Sequence, residues 1–189
     1  MLANWDKYFP ECEPLAHLMR DRFRSRWVRF HSLPESKRYP ENEEEMQTIL
    51  ARHNTILGEM LEQKTSVVLL TTGYAESADP PSRYPELLTL DPTAVSWREV
   101  AMHKIEGGNE QYYWHISASL WEWQPGTFDP LVRLVAEDQI ANVMMVHPDC
   151  KWILHPYDGG MDVILESNAA RQRLKSAHLD WLSDRPDGL

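Results

Sequence analysis

The clearest pattern of apolar and polar positions lies between residues 142 and 166. Short runs in which apolar and polar residues alternate are interrupted at 148–149 and at 158–159, which predicts three β-strands joined by two tight turns. The second turn is an Asp-Gly pair, which favours a two-residue hairpin loop in which glycine accepts positive φ. With this loop Tyr157 pairs with Gly160, and the register of the positions that follow is fixed.

Alternation of side chains gives this predicted hairpin one apolar face and one mixed face. The apolar face is expected to belong to the core and carries Trp152, Leu154, Met161, Val163 and Leu165. On the mixed face His155 lies beside Asp162, and Asn142 joins the row if residues 148–149 form the first loop. An imidazole flanked by a carboxylate and an amide has the arrangement of an oriented general base, so His155 and Asp162 are candidate catalytic residues. The alternative is a polar row on a half-exposed sheet, since the sequence shows no nucleophile to accompany the pair.

Apolar residues at helical spacing predict four helices. They extend from Glu11 to Phe23, from Asn42 to Gln63, from Gly126 to Asp138 and from Ser167 to Leu182. The helix that begins at Asn42 is the best defined, because Asn42 and Glu45 have the spacing of a capping box and an apolar stripe follows them. His53 falls on that stripe and is expected to be a packed residue, not a ligand-binding one.

Four further strands are predicted outside the C-terminal region. They lie near residues 26–31, 65–72, 97–105 and 112–123. The first two, with the helix between them, suggest a βαβ unit. A ligand site is then expected where strand ends and loops converge, near residues 31–38 and 73–74.

These elements together predict an α+β fold in a single domain that spans residues 1–189. We expect a mixed, mainly antiparallel sheet of five to seven strands covered by about four helices, with a C-terminal three-strand meander followed by a helix. A proline-rich segment at about 75–95 is expected to be a surface excursion or a lid.

Composition is that of a folded protein, with eight tryptophans, 42% hydrophobic residues and no apolar run long enough to cross a membrane. The first residues lack the basic and apolar regions of a signal peptide, so we expect a cytoplasmic protein. Cys12 and Cys150 have no metal-ligand spacing and are expected to be reduced thiols, although one bridge between them is also compatible with the sequence. His147, His155 and Asp162 lack the repeated spacing of a zinc site, and neither a metal nor a cofactor is predicted.

Charge is distributed unevenly along the chain. The formal net charge is -10, yet residues 20–38 hold seven cations and two acids, a local net charge of +5. An acidic protein repels phosphate backbones, so general binding to nucleic acid is not expected. The acidity favours a basic protein as partner, and a membrane partner is not expected.

The basic strip contains a candidate site for an anionic ligand. Its residues are Arg29, His31, Ser36, Lys37 and Arg38, which combine cations with hydrogen-bond donors. The alternative is that these cations are solvated or paired with the many acids of the chain.

Several segments resemble an uncharacterised bacterial family that is known only as a domain of unknown function. They are RWVRFHSLPESKRYPE, RHNTIL, VVLLTTGY and HPYDGGMDVI, and the resemblance covers most of the chain. A related broader family carries Tyr-Asp-Asp-Arg-Gly before an aspartate and a strand, where this chain has Tyr-Asp-Gly-Gly-Met-Asp at residues 157–162 and lacks the arginine. The resemblance implies no assigned activity and no catalytic residue.

Two functions therefore compete. The first is a noncatalytic protein-binding module, of the inhibitor or immunity type, which recognises a basic protein through acidic and aromatic residues. The second is a small enzyme or ligand-binding protein that holds an anion at residues 29–38, with His155 and Asp162 as base and orienter. The sequence leaves the oligomeric state open.

Overall fold

The computed structural model describes residues 2–61, 64–77, 79–107, 111–185 and 188. Its strands are β1 Trp27–His31, β2 Ser66–Ala75, β3 Val95–Ala101, β4 Tyr113–Glu122, β5 Met144–Val146, β6 Ile153–Tyr157 and β7 Gly160–Ile164. They form a seven-stranded sheet in the order β1-β7-β6-β5-β2-β4-β3, in which all neighbouring strands are antiparallel. The predicted α+β class, the antiparallel character and the C-terminal meander followed by a helix are confirmed.

Seven α-helices lie within the described residues, and four of them have seven residues or more. They are α1 Trp5–Tyr8, α2 Ala16–Arg22, α3 Glu43–Met60, α4 Pro85–Leu90, α5 Met102–Glu106, α6 Asp129–Ala136 and α7 Asn168–Ala177. Two 3-10 turns occur at Pro34–Ser36 and Leu179–Trp181. None of the described helices is both long and apolar enough to cross a membrane.

The side chain of Asn42 caps α3 as predicted, accepting a hydrogen bond from Glu45 N at 3.0 Å. The Glu45 carboxylate accepts from the backbone N–H of Glu41 and not from that of Asn42, so only half of the predicted capping box is formed. The helix ends at Met60, and the predicted end at Gln63 lies outside the described residues.

The hairpin between β6 and β7 has the predicted register, with Tyr157 opposite Gly160. The predicted positive φ at its turn is wrong, because neither Asp158 nor Gly159 adopts the left-handed conformation. The second glycine, Gly160, is needed for another reason. A Cβ at Gly160 would lie 2.2 Å from the backbone oxygen of Phe30, so β1 can approach β7 this closely only where no side chain intervenes.

The register between β5 and β6 corrects the predicted two-residue loop at 148–149. The loop has four residues, 148–151, a length that is commonly built around a type I turn. The two-residue difference keeps each side chain on its predicted face but moves its neighbours. Met144 therefore faces His155 across the two strands, and the predicted row with Asn142 beside His155 is wrong.

The predicted βαβ unit is also wrong, because its two strands, β1 and β2, are not neighbours in the sheet. β1 and β2 point in the same direction, but β7, β6 and β5 lie between them. The meander that fills this gap comes much later in the chain, so the local pattern around α3 could not show it.

Buried residues lie on both faces of the sheet. The predicted apolar face packs with α3, α6 and α7 in one core, as expected for Leu154 and Val163. The expectation of a half-exposed second face is wrong, because Ile153 and Ile164 lie in a second core with residues of α1, α2 and α5. Cys12 and Cys150 are free, buried members of this second core.

Candidate functional site

Arg29, Asp162 and His155 form a row across β1, β7 and β6. The strand register pairs Arg29 with Asp162, and Asp162 with His155. Arg29 donates hydrogen bonds from Nε and Nη2 to the two oxygens of Asp162, both at 2.8 Å. Its guanidinium also lies 4.7 Å from the centre of the Tyr157 ring. The structure thus brings together residues that the sequence assigned to two different sites.

His155 and Asp162 form their hydrogen bonds with other groups and not with each other. Its Nδ1 lies 2.8 Å from the carbonyl oxygen of Pro156, which can only accept, so the ring carries its proton on Nδ1. Burial outweighs the nearby Asp162 carboxylate and lowers the pKa of His155 to about 4, which keeps the imidazole neutral at pH 7. Asp162 uses both oxygens for Arg29, and no hydrogen bond joins it to His155 among the described residues. The orienting bond that a general base requires is therefore not formed.

A cavity of about 260 Å³ adjoins His155 at the carboxyl end of β6. Its polar lining includes Arg38, Asn142, His155, Tyr157 and Asp158. Arg38 Nε donates to the Asp158 carboxylate at 2.5 Å, and the Tyr39 hydroxyl donates to the same group at 2.9 Å. Asn142 donates to the hydroxyl of Tyr74. One end of the predicted anion-binding loop therefore does share a cavity with His155, but Asp158 neutralises the cation that it contributes.

The rest of the predicted anion-binding loop points elsewhere. Lys37 Nζ donates to the two oxygens of Glu45 at 2.6 and 2.8 Å and lies 3.2 Å from the Glu41 carboxylate. Ser36 is exposed in a 3-10 turn, with a left-handed φ of 57°. His31 Nε2 is buried and has no hydrogen-bond partner among the described residues, and burial is the main cause of the lowered pKa of His31. The five residues predicted to bind an anion do not converge, because acids of α3 and of the β6–β7 turn pair with the cations of the loop.

A different set of cations does converge, in a cleft of about 210 Å³ between β1 and α7. The charged residues that line it are Arg24, Arg29, Arg171, Lys175 and Arg185. None of the described lining residues is acidic. We call this site the basic cleft, and Arg29 is the one predicted anion-binding residue that contributes to it.

His147 lies apart from the row of Arg29, Asp162 and His155. It lines a cleft of about 510 Å³ between α3 and α7, and its Nδ1 accepts a hydrogen bond from Asp149 N at 3.0 Å. Across the part of the chain that the structure describes, no group of three or more His, Cys, Asp or Glu residues is placed to hold a metal ion.

The proline-rich excursion exposes acids and a tyrosine beside the ends of β2 and β4. We call this the acidic aromatic surface, and it consists of Glu76, Asp79, Tyr84 and Glu86 together with Glu99 of β3. His115 of β4 marks its centre, because it is paired with Gly73 on one side and with Glu99 on the other. The His115 ring also lies 3.2 Å from the Ser77 carbonyl oxygen and lines a small cavity with Tyr84.

A buried carboxylate anchors the excursion. The Asp91 side chain is 0% exposed and accepts hydrogen bonds from Ser119 Oγ at 2.7 Å and Thr93 Oγ1 at 3.3 Å. Arg83 donates to the Asp91 carbonyl oxygen at 2.6 Å and lies 3.5 Å from its carboxylate. Because buried polar groups that satisfy one another hold a single arrangement, the excursion is fixed on the polar face of β4.

The sequence did not identify the main contributors to either charged surface. Arg171 and Lys175 are four residues apart, which places them on one side of α7, but nothing in the local sequence shows that this side meets β1. The excursion was predicted from its prolines. Its acidity follows from a different signal, since Arg83 is the only cation in residues 73–97.

The fold and these surfaces define an α+β protein with an antiparallel sheet, an exposed acidic surface and a separate basic cleft. The chain belongs to the family described as Domain of unknown function (DUF3885), whose family model matches residues 15–186. The predicted membership in an uncharacterised family is thereby confirmed. Neither the curated proteins nor the solved structures include a significant match to this chain.

Proposed function

We propose that the protein is a noncatalytic protein-binding module whose partner is a basic protein. The observation that carries this proposal is the acidic aromatic surface. Its tyrosine, Tyr84, combines a large apolar area with a hydrogen-bonding group, a combination that is enriched at protein interfaces. Its carboxylates supply a negative potential that attracts a basic partner and orients it.

Two features of the structure support this function. The excursion is held by the buried Asp91, so little ordering entropy is lost when a partner docks. The hydrogen bonds of His155 to the Pro156 carbonyl and of Asp162 to Arg29 give both residues a structural role, which favours binding over catalysis. An inhibitor or immunity protein that covers the active surface of a basic enzyme is the form of binding that we propose.

The test is capture of a partner by the immobilised full-length chain at low ionic strength, followed by measurement of affinity for the purified partner. The variant Glu76→Lys/Glu86→Lys/Glu99→Lys reverses three charges within the acidic aromatic surface. We expect the captured protein to be basic and its affinity for this variant to fall at least about tenfold. Added salt is expected to weaken the wild-type complex, because salt screens exposed charges.

The matched control is Glu44→Lys/Glu122→Lys/Glu137→Lys, which changes the net charge equally at exposed acids outside the surface. It should retain the partner with less than about a threefold loss of affinity. An equal loss in both triple variants, or a partner that is itself acidic, would show that the surface does not carry the function.

A further inference from the structure

We infer that the basic cleft is a binding site for a compact oxyanion, either inorganic phosphate or the phosphate group of a small monoester. The site is independent of the acidic aromatic surface and requires no protein partner.

The first argument is the concentration of charge. Five cations from separate parts of the sequence line one cleft of about 210 Å³ in a protein whose formal net charge is -10. They come from the segment before β1, from β1 itself, from α7 and from the C-terminal residues. Asp162 compensates Arg29, but Arg171 and Lys175 form no ion pair with any other described residue, so their charges raise the local concentration of anions. The basic cleft therefore attracts anions that the rest of the surface repels.

The second argument is that guanidinium groups in the cleft are already held in place. Asp162 fixes Arg29 through two hydrogen bonds, and the backbone oxygen of Trp27 accepts a hydrogen bond from Arg171 Nε at 2.7 Å. The bond to Trp27 uses only Nε, and the two Nη groups of Arg171 make no hydrogen bond to the described residues, so they can donate to a ligand. A preorganised guanidinium fork matches two oxygens of a phosphate group.

The third argument comes from Lys175, one turn after Arg171 on α7. Within the described residues its ammonium group forms no ion pair and no hydrogen bond. An ammonium group is a compact point charge that can follow the position of a bound anion. Lys175 and Arg171 thus supply a flexible and a fixed cation to the same volume.

The size of the cleft selects the class of anion. A water molecule takes up about 30 Å³ of liquid volume, so a cleft of about 210 Å³ holds several groups of that size. A tetrahedral oxyanion with a small organic substituent fits this volume. A nucleic acid strand would extend over a surface whose remaining charge is strongly negative and would be repelled.

The experiment is calorimetric titration of the full-length protein with inorganic phosphate and, separately, with glycerol 3-phosphate. We expect saturable binding at one site, and at least about tenfold weaker binding by Lys175→Met and by Arg171→Gln. Lys175→Met removes charge without touching the bond to Trp27, so it tests the site even if Arg171→Gln alters the fold. Stronger binding of glycerol 3-phosphate identifies a monoester as the ligand, and equal binding of the two identifies phosphate itself.

Arg173→Gln is the matched control, because Arg173 lies on the same helix but lines the cleft that contains His147. It removes one positive charge from α7 and should leave phosphate affinity within about a factor of two. No saturable binding of either anion to the wild type would overturn the inference. Phosphate affinity that Lys175→Met leaves unchanged would also overturn the inference. So would an equal loss of phosphate affinity in Arg173→Gln and Lys175→Met.

Discussion

The pair formed by Arg29 and Asp162 shows what a single residue of this sheet contributes. Both side chains are largely buried, 16% and 9% exposed, and each satisfies the charge of the other through two hydrogen bonds. The sequence placed Asp162 in a catalytic pair and Arg29 in an anion site, since no local signal connects residues so far apart in the chain. Their contact makes the structural role of Asp162 the dominant one, and it positions Arg29 at the basic cleft.

We predict that Asp162→Asn destabilises the protein by about 3 kcal/mol, because it leaves a buried guanidinium without its counter-charge. Glu11→Gln is the comparison, since Glu11 pairs with Arg22 and both side chains are exposed, 86% and 49%. That change should cost no more than about 1 kcal/mol, because water screens the exposed partner. Urea unfolding followed by tryptophan fluorescence measures both. Equal losses in the two variants would mean that the buried pair contributes no more than a surface pair.

At the scale of elements, the sequence predicts best where a local signal is strong. The cap at Asn42, the strand β4 and the hairpin register at Tyr157 all follow from such signals. Prediction fails where tertiary structure decides. The loop at 148–151 is longer than expected, and the predicted strand at 97–105 ends at Ala101, where α5 follows.

The charged surfaces were only partly predictable for the same reason. Arg29 was identified as a candidate, but Arg171 and Lys175 join it only because α7 packs beside β1. For Lys37 and Arg38 the sequence left open an anion site or pairing with acids, and in the folded chain Glu45 and Asp158 pair with them. Charge composition therefore indicated that arginines and lysines contribute to the charged surfaces, and the antiparallel topology determined where these residues meet.

The close approach of β1 to β7 at Gly160 leads to a prediction about stability. Gly160→Ala would place a Cβ 2.2 Å from the backbone oxygen of Phe30, a contact that only movement of β1 can relieve. We expect a loss of about 3 kcal/mol, at the upper end of the usual cost of overpacking. In a chain of this size this lowers the melting temperature by several degrees.

Gly159→Ala is the control for that variant. Its Cβ would approach two side chains, Tyr157 at 3.1 Å and Arg38 at 3.5 Å, and both can shift. Because Gly159 does not adopt a left-handed φ, alanine adds no backbone strain there, and the stability should change by less than about 1 kcal/mol. Thermal unfolding followed by circular dichroism compares the two. If both variants melt at the same temperature, close packing of β1 against β7 is not what requires Gly160.

At the scale of the whole molecule, two separate cores lie on opposite faces of one sheet. The core formed with α3, α6 and α7 falls almost entirely within the family match at residues 15–186. The second core also requires residues that precede the match, including Trp5, Phe9 and Cys12. Helix propensity predicts nothing at α1, because a four-residue helix has no stability apart from its packing. The N-terminal residues are therefore an integral layer of the fold.

The last prediction tests this role of the N-terminal layer with two aromatic residues of α1. The Trp5 side chain is 0% exposed, contacts the Trp97 ring at a centroid distance of 5.5 Å and donates from Nε1 to the Cys12 carbonyl oxygen at 2.9 Å. Trp5→Ala should therefore cost about 3–5 kcal/mol. Tyr8 is 42% exposed on the same helix, and Tyr8→Ala should change stability by no more than about 0.5 kcal/mol. Urea unfolding of both variants separates the two cases. Similar unfolding midpoints would mean that the second core does not depend on the N-terminal residues. The expected difference would mean that these residues, which precede the family match, stabilise the second core.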